Sequence, residues 1–178
     1  MPAQFWESVL NAPAVGAGTP LANSLTLTDI SPAPQLVIPA NYLYPGQRLR
    51  VEAYGIYSST SAATLILGVY WGGVAAAVPL AATAANAVAA AGASYPWQLR
   101  LNIRVIQPGS SGTVWCAGWV KVGSTLALMT EYALPSSQTQ PVTVSTVTAN
   151  ALTVGAQWGT AAAGDTITCE DCLIEALS

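Results

Sequence analysis

The sequence predicts an all-β fold, an antiparallel sandwich or barrel, and three observations predict it. Apolar residues recur at a period of two, the alternating runs are short, and Gly, Pro, Ser and Asn punctuate the gaps between them. No helical period with caps recurs often enough to build crossover helices, which argues against a parallel α/β sheet. A chain of 178 residues fits one domain, and its 52% hydrophobic content can fill a sizeable core, unlike that of a disordered chain.

Residues 1–30 lack a long periodic run and read as an N-terminal arm, which leaves residues 31–178 as a single sandwich domain. Within the arm, Phe5, Trp6, Val9 and Leu10 precede a stretch rich in Pro, Gly and Ala. That order suits a sticky anchor on a flexible tether, which docks on a partner or a neighbouring subunit. Strand-like runs follow at 24–30 and 35–38. YLYPG at 42–46 ends in a Pro-Gly turn signal, with Tyr44 covering a sheet edge. In the run 48–56, Leu49, Val51 and Ala53 point inward, and Arg48, Arg50, Glu52 and Tyr54 point outward. Another strand is expected at 63–71, closed by a Gly72-Gly73 turn that lacks the lysine and helix start of a phosphate cradle.

Residues 74–91 form a long uncharged run that must be tested as a membrane span. It is rejected: alanine carries little transfer free energy, Pro79 and Asn86 interrupt it, and no Lys or Arg anchors its ends. A loop of small residues is expected there. The clearest alternation lies at 96–106, where Trp97, Leu99, Leu101, Ile103 and Val105 face the core and Gln98, Arg100, Asn102 and Arg104 face solvent or a partner. Turns around Gly109 and Gly112 lead to further strands at 112–121, 125–132, 141–147, 151–158 and 165–174.

Composition excludes most catalytic chemistry. The chain has no histidine, so the commonest general base and metal ligand is missing. The eight acids are dispersed and give no facing pair by spacing, so no enzyme is expected. Five basic residues form no cluster along the chain, which argues against nucleic-acid binding. Arg100 and Arg104 share one strand face roughly 13 Å apart. They read as a partner surface, paired with an acidic patch on another protein or with Glu52 on a neighbouring strand.

Three cysteines are an odd set for a disulfide framework, and the opening residues carry no basic region with a hydrophobic block. Synthesis and assembly in a reducing cytoplasm are expected. CEDC at 169–172 has the spacing of zinc and redox sites, yet only one further Cys and no His exist to complete four ligands. In a regular strand the two thiols diverge. They read as packed thiols, and no metal or cofactor is expected. Asp165 reads as a turn residue. Tyr70, Trp71, Trp97, Trp115, Trp119 and Trp158 fall in predicted strands, where core and interface packing outweighs a sugar platform.

Three segments carry a family resemblance: 30–36 (ISPAPQL), 41–73 (NYLYPGQRLRVEAYGIYSSTSAATLILGVYWGG) and 151–177 (ALTVGAQWGTAAAGDTITCEDCLIEAL). Through them the chain resembles small virion proteins of tailed bacteriophages, especially phages of actinobacteria. CEDC departs from the apolar, β-branched ending usual in such proteins. The resemblance implies a jelly-roll sandwich that forms trimers on capsids or tail appendages. Its leading implication is a capsid decoration protein on the virion exterior, bound to the major capsid protein. The alternative is a receptor-binding or fibre-tip module that recognises host glycans. Low charge agrees with assembly, because five cations and eight acids cannot cover the roughly 8,000 Å² of a monomer this size. A closed homotrimer hides apolar surface and protects strand edges.

Overall fold

The two alternating runs that carry the arginines lie side by side in the middle of one sheet. The computed structural model describes residues 7–10, 16–60, 62–75, 78–136, 138–160 and 162–177, and among them there is no helix. The strands are β1 (Glu7–Val9), β2 (Leu21–Ala22), β3 (Thr28–Asp29), β4 (Leu36–Ile38), β5 (Arg48–Ser58), β6 (Thr64–Trp71) and β7 (Val78–Ala82). They continue with β8 (Asn86–Ala87), β9 (Tyr95–Gln107), β10 (Gly112–Gly123), β11 (Met129–Leu134), β12 (Val142–Val144), β13 (Asn150–Thr160) and β14 (Thr166–Leu177).

All pairings are antiparallel. The larger sheet runs β1-β14-β5-β9-β10-β11, with β2 also on β14 and β12 also on β10; the smaller runs β3-β13-β6-β7, with β4 also on β13 and β8 also on β6. Alternation explains why the two sheets pack as a sandwich. Leu49, Val51, Ala53, Leu99, Leu101 and Ile103 from the larger sheet share one buried cluster with Leu65, Leu67, Val69, Leu152, Val154 and Trp158 from the smaller. Each buried aliphatic side chain contributes about 1.5–3 kcal/mol, so one flipped strand would remove a large share of the core.

The 74–91 stretch departs from the loop expected of it. Leu80, Ala81 and Ala82 are buried in β7, which pairs with β6 from Tyr70↔Pro79 to Gly68↔Ala82. Pro79 is tolerated because β7 lies at the end of the smaller sheet's order, where a missing N–H costs no ladder bond on the open side. Among the described residues no helix is long and apolar enough to cross a membrane. Gln140 ties the two sheets together at this margin, since its Oε1 accepts from Cys116 N at 2.9 Å and its Nε2 donates to Leu80 O at 3.2 Å.

The N-terminal segment is tied to β14 at several points. β1 pairs Glu7↔Leu177 through Val9↔Glu175, and Gly18 N donates to Cys169 O at 2.8 Å. Leu21 in β2 is buried. Turn chemistry follows the sequence signals: Gly46 has φ 87° after Pro45, and Gln47 N donates to Tyr44 O at 3.2 Å. Asp165 is fully buried and ties two loops, with Oδ1 accepting from Thr60 N at 2.9 Å and Oδ2 from Ala162 N at 2.8 Å.

Candidate functional site

Strand register gathers on one surface what the sequence disperses. Arg48, Arg50, Arg100, Arg104 and Lys121, all five cations of the chain, lie on the outward positions of β5, β9 and β10 in the larger sheet. The register sets them in rows. Leu177, Arg48, Arg104 and Trp115 form one end row; Glu175, Arg50, Asn102 and Ala117 the next; Leu173, Glu52, Arg100 and Trp119 the third; Asp171, Tyr54, Gln98 and Lys121 the fourth.

The middle rows are neutralised internally. Arg50 Nε donates to Glu175 Oε2 at 2.7 Å and lies 3.5 Å from Glu52 Oε1, which also takes Arg100 Nε at 3.2 Å. Lys121 Nζ sits 3.3 Å from Glu131 Oε2 and 4.6 Å from the centre of the Trp119 ring, a cation over an aromatic face. Tyr54 Oη donates to Asp171 Oδ2 at 3.2 Å, and that bond and charge hold the phenol above its ordinary value. The end row differs. Arg48 and Arg104 stand directly opposite each other, and among the described side chains, which do not include that of Glu7, neither has a carboxylate within ion-pair distance. Beside them lies an open depression of ≈ 340 Å³ lined by Arg48, Asn102, Arg104, Trp115 and Leu177. A second, of ≈ 230 Å³, is lined by Glu52, Tyr54, Arg100 and Trp119.

The aromatics divide by face. Tyr70, Trp71, Trp97 and Trp158 are buried, whereas Trp115 is 50% exposed and Trp119 half-buried on the outer face. Of the residues expected to meet a partner, Arg100 is held by Glu52, and Arg104 belongs to the end row with Arg48. Val9 is exposed on β1; Leu10 packs partly against the core, with its N donating to Ile174 O at 2.7 Å. Phe5 and Trp6 lie outside the described residues. Sequence reasoning missed the Arg48–Arg104–Trp115 grouping. Alternation gave the outward face of Arg48 and Arg104 but not that of Trp115, and only the register reveals which neighbours share a row.

The thiols of CEDC do not diverge. The β14–β5 register shifts between Cys169 and Asp171, so a bulge absorbs Glu170 and turns both Cys169 and Cys172 inward. Burial raises all three thiols, Cys116 and Cys172 to about 12 and Cys169 further, with the Cys172 charge adding to the last shift. Cys169 Sγ donates to Asp171 O at 3.2 Å. Such thiols are poor nucleophiles at neutral pH. Among the described residues no group of three Cys, Asp or Glu side chains is placed to hold a metal ion.

No protein-family model matches the chain, and no curated relative does. A crystal structure of the alginate lyase from Klebsiella pneumoniae is similar at 10% identity over 75% of this chain, with a TM-score of 0.17. The likeness spans 59% of that enzyme's chain and carries no argument about fold or function.

Proposed function

We propose that this chain is a structural protein of a phage virion, a capsid decoration protein that attaches as a jelly-roll trimer to the outside of the head and bridges major capsid subunits. The observation that carries the reading is the concentration of all five cations, with Trp115 and Trp119, on one sheet face. A molecule that gathers all its cations and two partly exposed indoles on one side is built to meet a surface. The antiparallel sandwich and the resemblance of three sequence segments to small virion proteins support the same reading. Attachment uses the N-terminal strand and the Arg100 region of the ladder. Its mechanism is linkage: a protein that binds only the assembled lattice raises the stability of that lattice.

Electron cryo-microscopy of virions tests this. Density for the sandwich at threefold or quasi-threefold positions of the head is the expected result, and density confined to the tail tip would move the protein to an attachment role. Sedimentation at micromolar concentration is expected to show a trimer; a stable monomer would overturn the trimeric reading.

A further inference from the structure

Three of the five cations have carboxylate partners on the outer face, and Arg48 and Arg104 have none among the described side chains, which do not include that of Glu7. Like charges directly opposite on neighbouring strands destabilise a sheet. Here such a pair sits beside a depression of ≈ 340 Å³, within the range of small-molecule sites at about 300–1,000 Å³. A local rule broken beside a hollow is where function is expected. The half-exposed Trp115 is the register partner of Arg104, and Asn102, also in the lining, carries an amide able to donate and accept.

We propose that this depression binds an anionic saccharide. The guanidinium groups of Arg48 and Arg104 take its carboxylate, sulfate or phosphate in charge-assisted hydrogen bonds, the Trp115 indole lies against the ring, and Asn102 meets a hydroxyl. An acidic protein side chain would satisfy the arginines but leave the exposed indole without a flat partner, which favours the sugar. The proposal goes beyond attachment to a shell; it uses the Arg48–Arg104 end of the same face, and its test on the isolated chain reads separately from the imaging that tests attachment.

The test titrates the full chain with a tetramer of galacturonate, its neutral methyl ester, sulfated and phosphorylated tetrasaccharides, and hexaglutamate, read by calorimetry and indole fluorescence. At least one anionic saccharide is expected to bind, and the neutral ester should bind roughly tenfold more weakly or worse. Arg48→Gln with Arg104→Gln should cost at least about tenfold, and Trp115→Ala should weaken binding and remove most of the fluorescence change. Arg48→Gln alone should raise the thermal midpoint, because it relieves the like-charge pair. Four results would overturn the proposal: no binding of any anionic saccharide at millimolar concentration, binding that survives the double substitution, hexaglutamate binding as tightly as the sugar, or a lowered midpoint for Arg48→Gln.

Discussion

Trp97 and Trp158 are both fully buried, yet their indole N–H groups differ. Trp97 Nε1 donates to Thr168 O at 3.0 Å, across a space left by Gly55, where a Cβ would come within 2.0 Å of that oxygen and 2.9 Å of Nε1. Trp158 Nε1 has no hydrogen-bond partner among the described residues. Trp97→Phe therefore loses a bond and strands a carbonyl, whereas Trp158→Phe removes an orphan donor. Urea unfolding should show Trp97→Phe the more costly by about 1–2 kcal/mol; equal losses would mean that the bond adds nothing. The thiols give a pH dependence. Their unfolded value is 9.0, and burial raises them to about 12 for Cys116 and Cys172 and further for Cys169. The unfolded chain thus releases protons above pH 9 that the folded chain keeps. Stability from these groups is fully present below about pH 9 and falls as pH rises towards 12, by at most about 1.4 kcal/mol per pH unit for each thiol. Replacing all three by Ala should flatten the loss measured between pH 8 and pH 10.5. An unchanged slope would place the alkaline sensitivity elsewhere, Tyr57 and Tyr70 being next, since burial raises both.

The β14 bulge decides which side chains of that strand reach the core. With Glu170 absorbed, Ile167 and Cys169 before it and Cys172, Ile174 and Ala176 after it all face inward. Deleting Glu170 removes the extra residue and leaves Ile167, Cys169, Cys172, Ile174 and Ala176 in strict alternation on the inward face, whereas deleting Leu173 from the regular part of the strand turns Ile174 and Ala176 to solvent. Denaturant unfolding should show a loss above about 4 kcal/mol for the Leu173 deletion and a far smaller one for the Glu170 deletion, whereas Glu170→Ala, at an exposed position, should stay within about 0.5 kcal/mol. Equal losses for the two deletions would show that parity along β14 does not decide what reaches the core. The same bulge marks the limit of sequence reading. Period two placed β5 and β9 face by face, because a regular strand exposes its pattern directly. It failed at CEDC because a one-residue insertion reverses parity without any residue type announcing it. It failed at 78–82 because Ala-rich edge strands lack the β-branched signal, so their burial comes from tertiary packing. The pairing of Arg48 with Arg104 was hidden for a third reason: register between distant strands is a property of the folded sheet.

Charge at the scale of the molecule is lopsided. The larger sheet's outer face holds every cation, and the smaller sheet's strands hold a single acid, Asp29. That asymmetry is what the proposed docking face rests on, and it makes the sheet edges beside that face important. The edge beside β14 is closed by the N-terminal segment, and the contacts there set how much can be removed. Residues 7–10 add β1 and the Leu10 N to Ile174 O bond at the rim. Residues 18–23 do more: Gly18 N and Asn23 N donate to Cys169 O and Asp165 O, and Leu21 is buried. Removing residues 1–10 should therefore leave a cooperative fold with an uncovered β14 edge, lower solubility and, under the proposed function, weaker attachment to virions. Removing residues 1–24 should also take away a buried leucine and two backbone bonds, at about 2–5 kcal/mol for the leucine alone. Thermal unfolding and co-sedimentation with heads separate the two effects. Attachment unchanged after removal of residues 1–10 would free the N-terminal segment from any role in docking, and equal stability of the two truncations would show that β2 is not part of the cooperative unit.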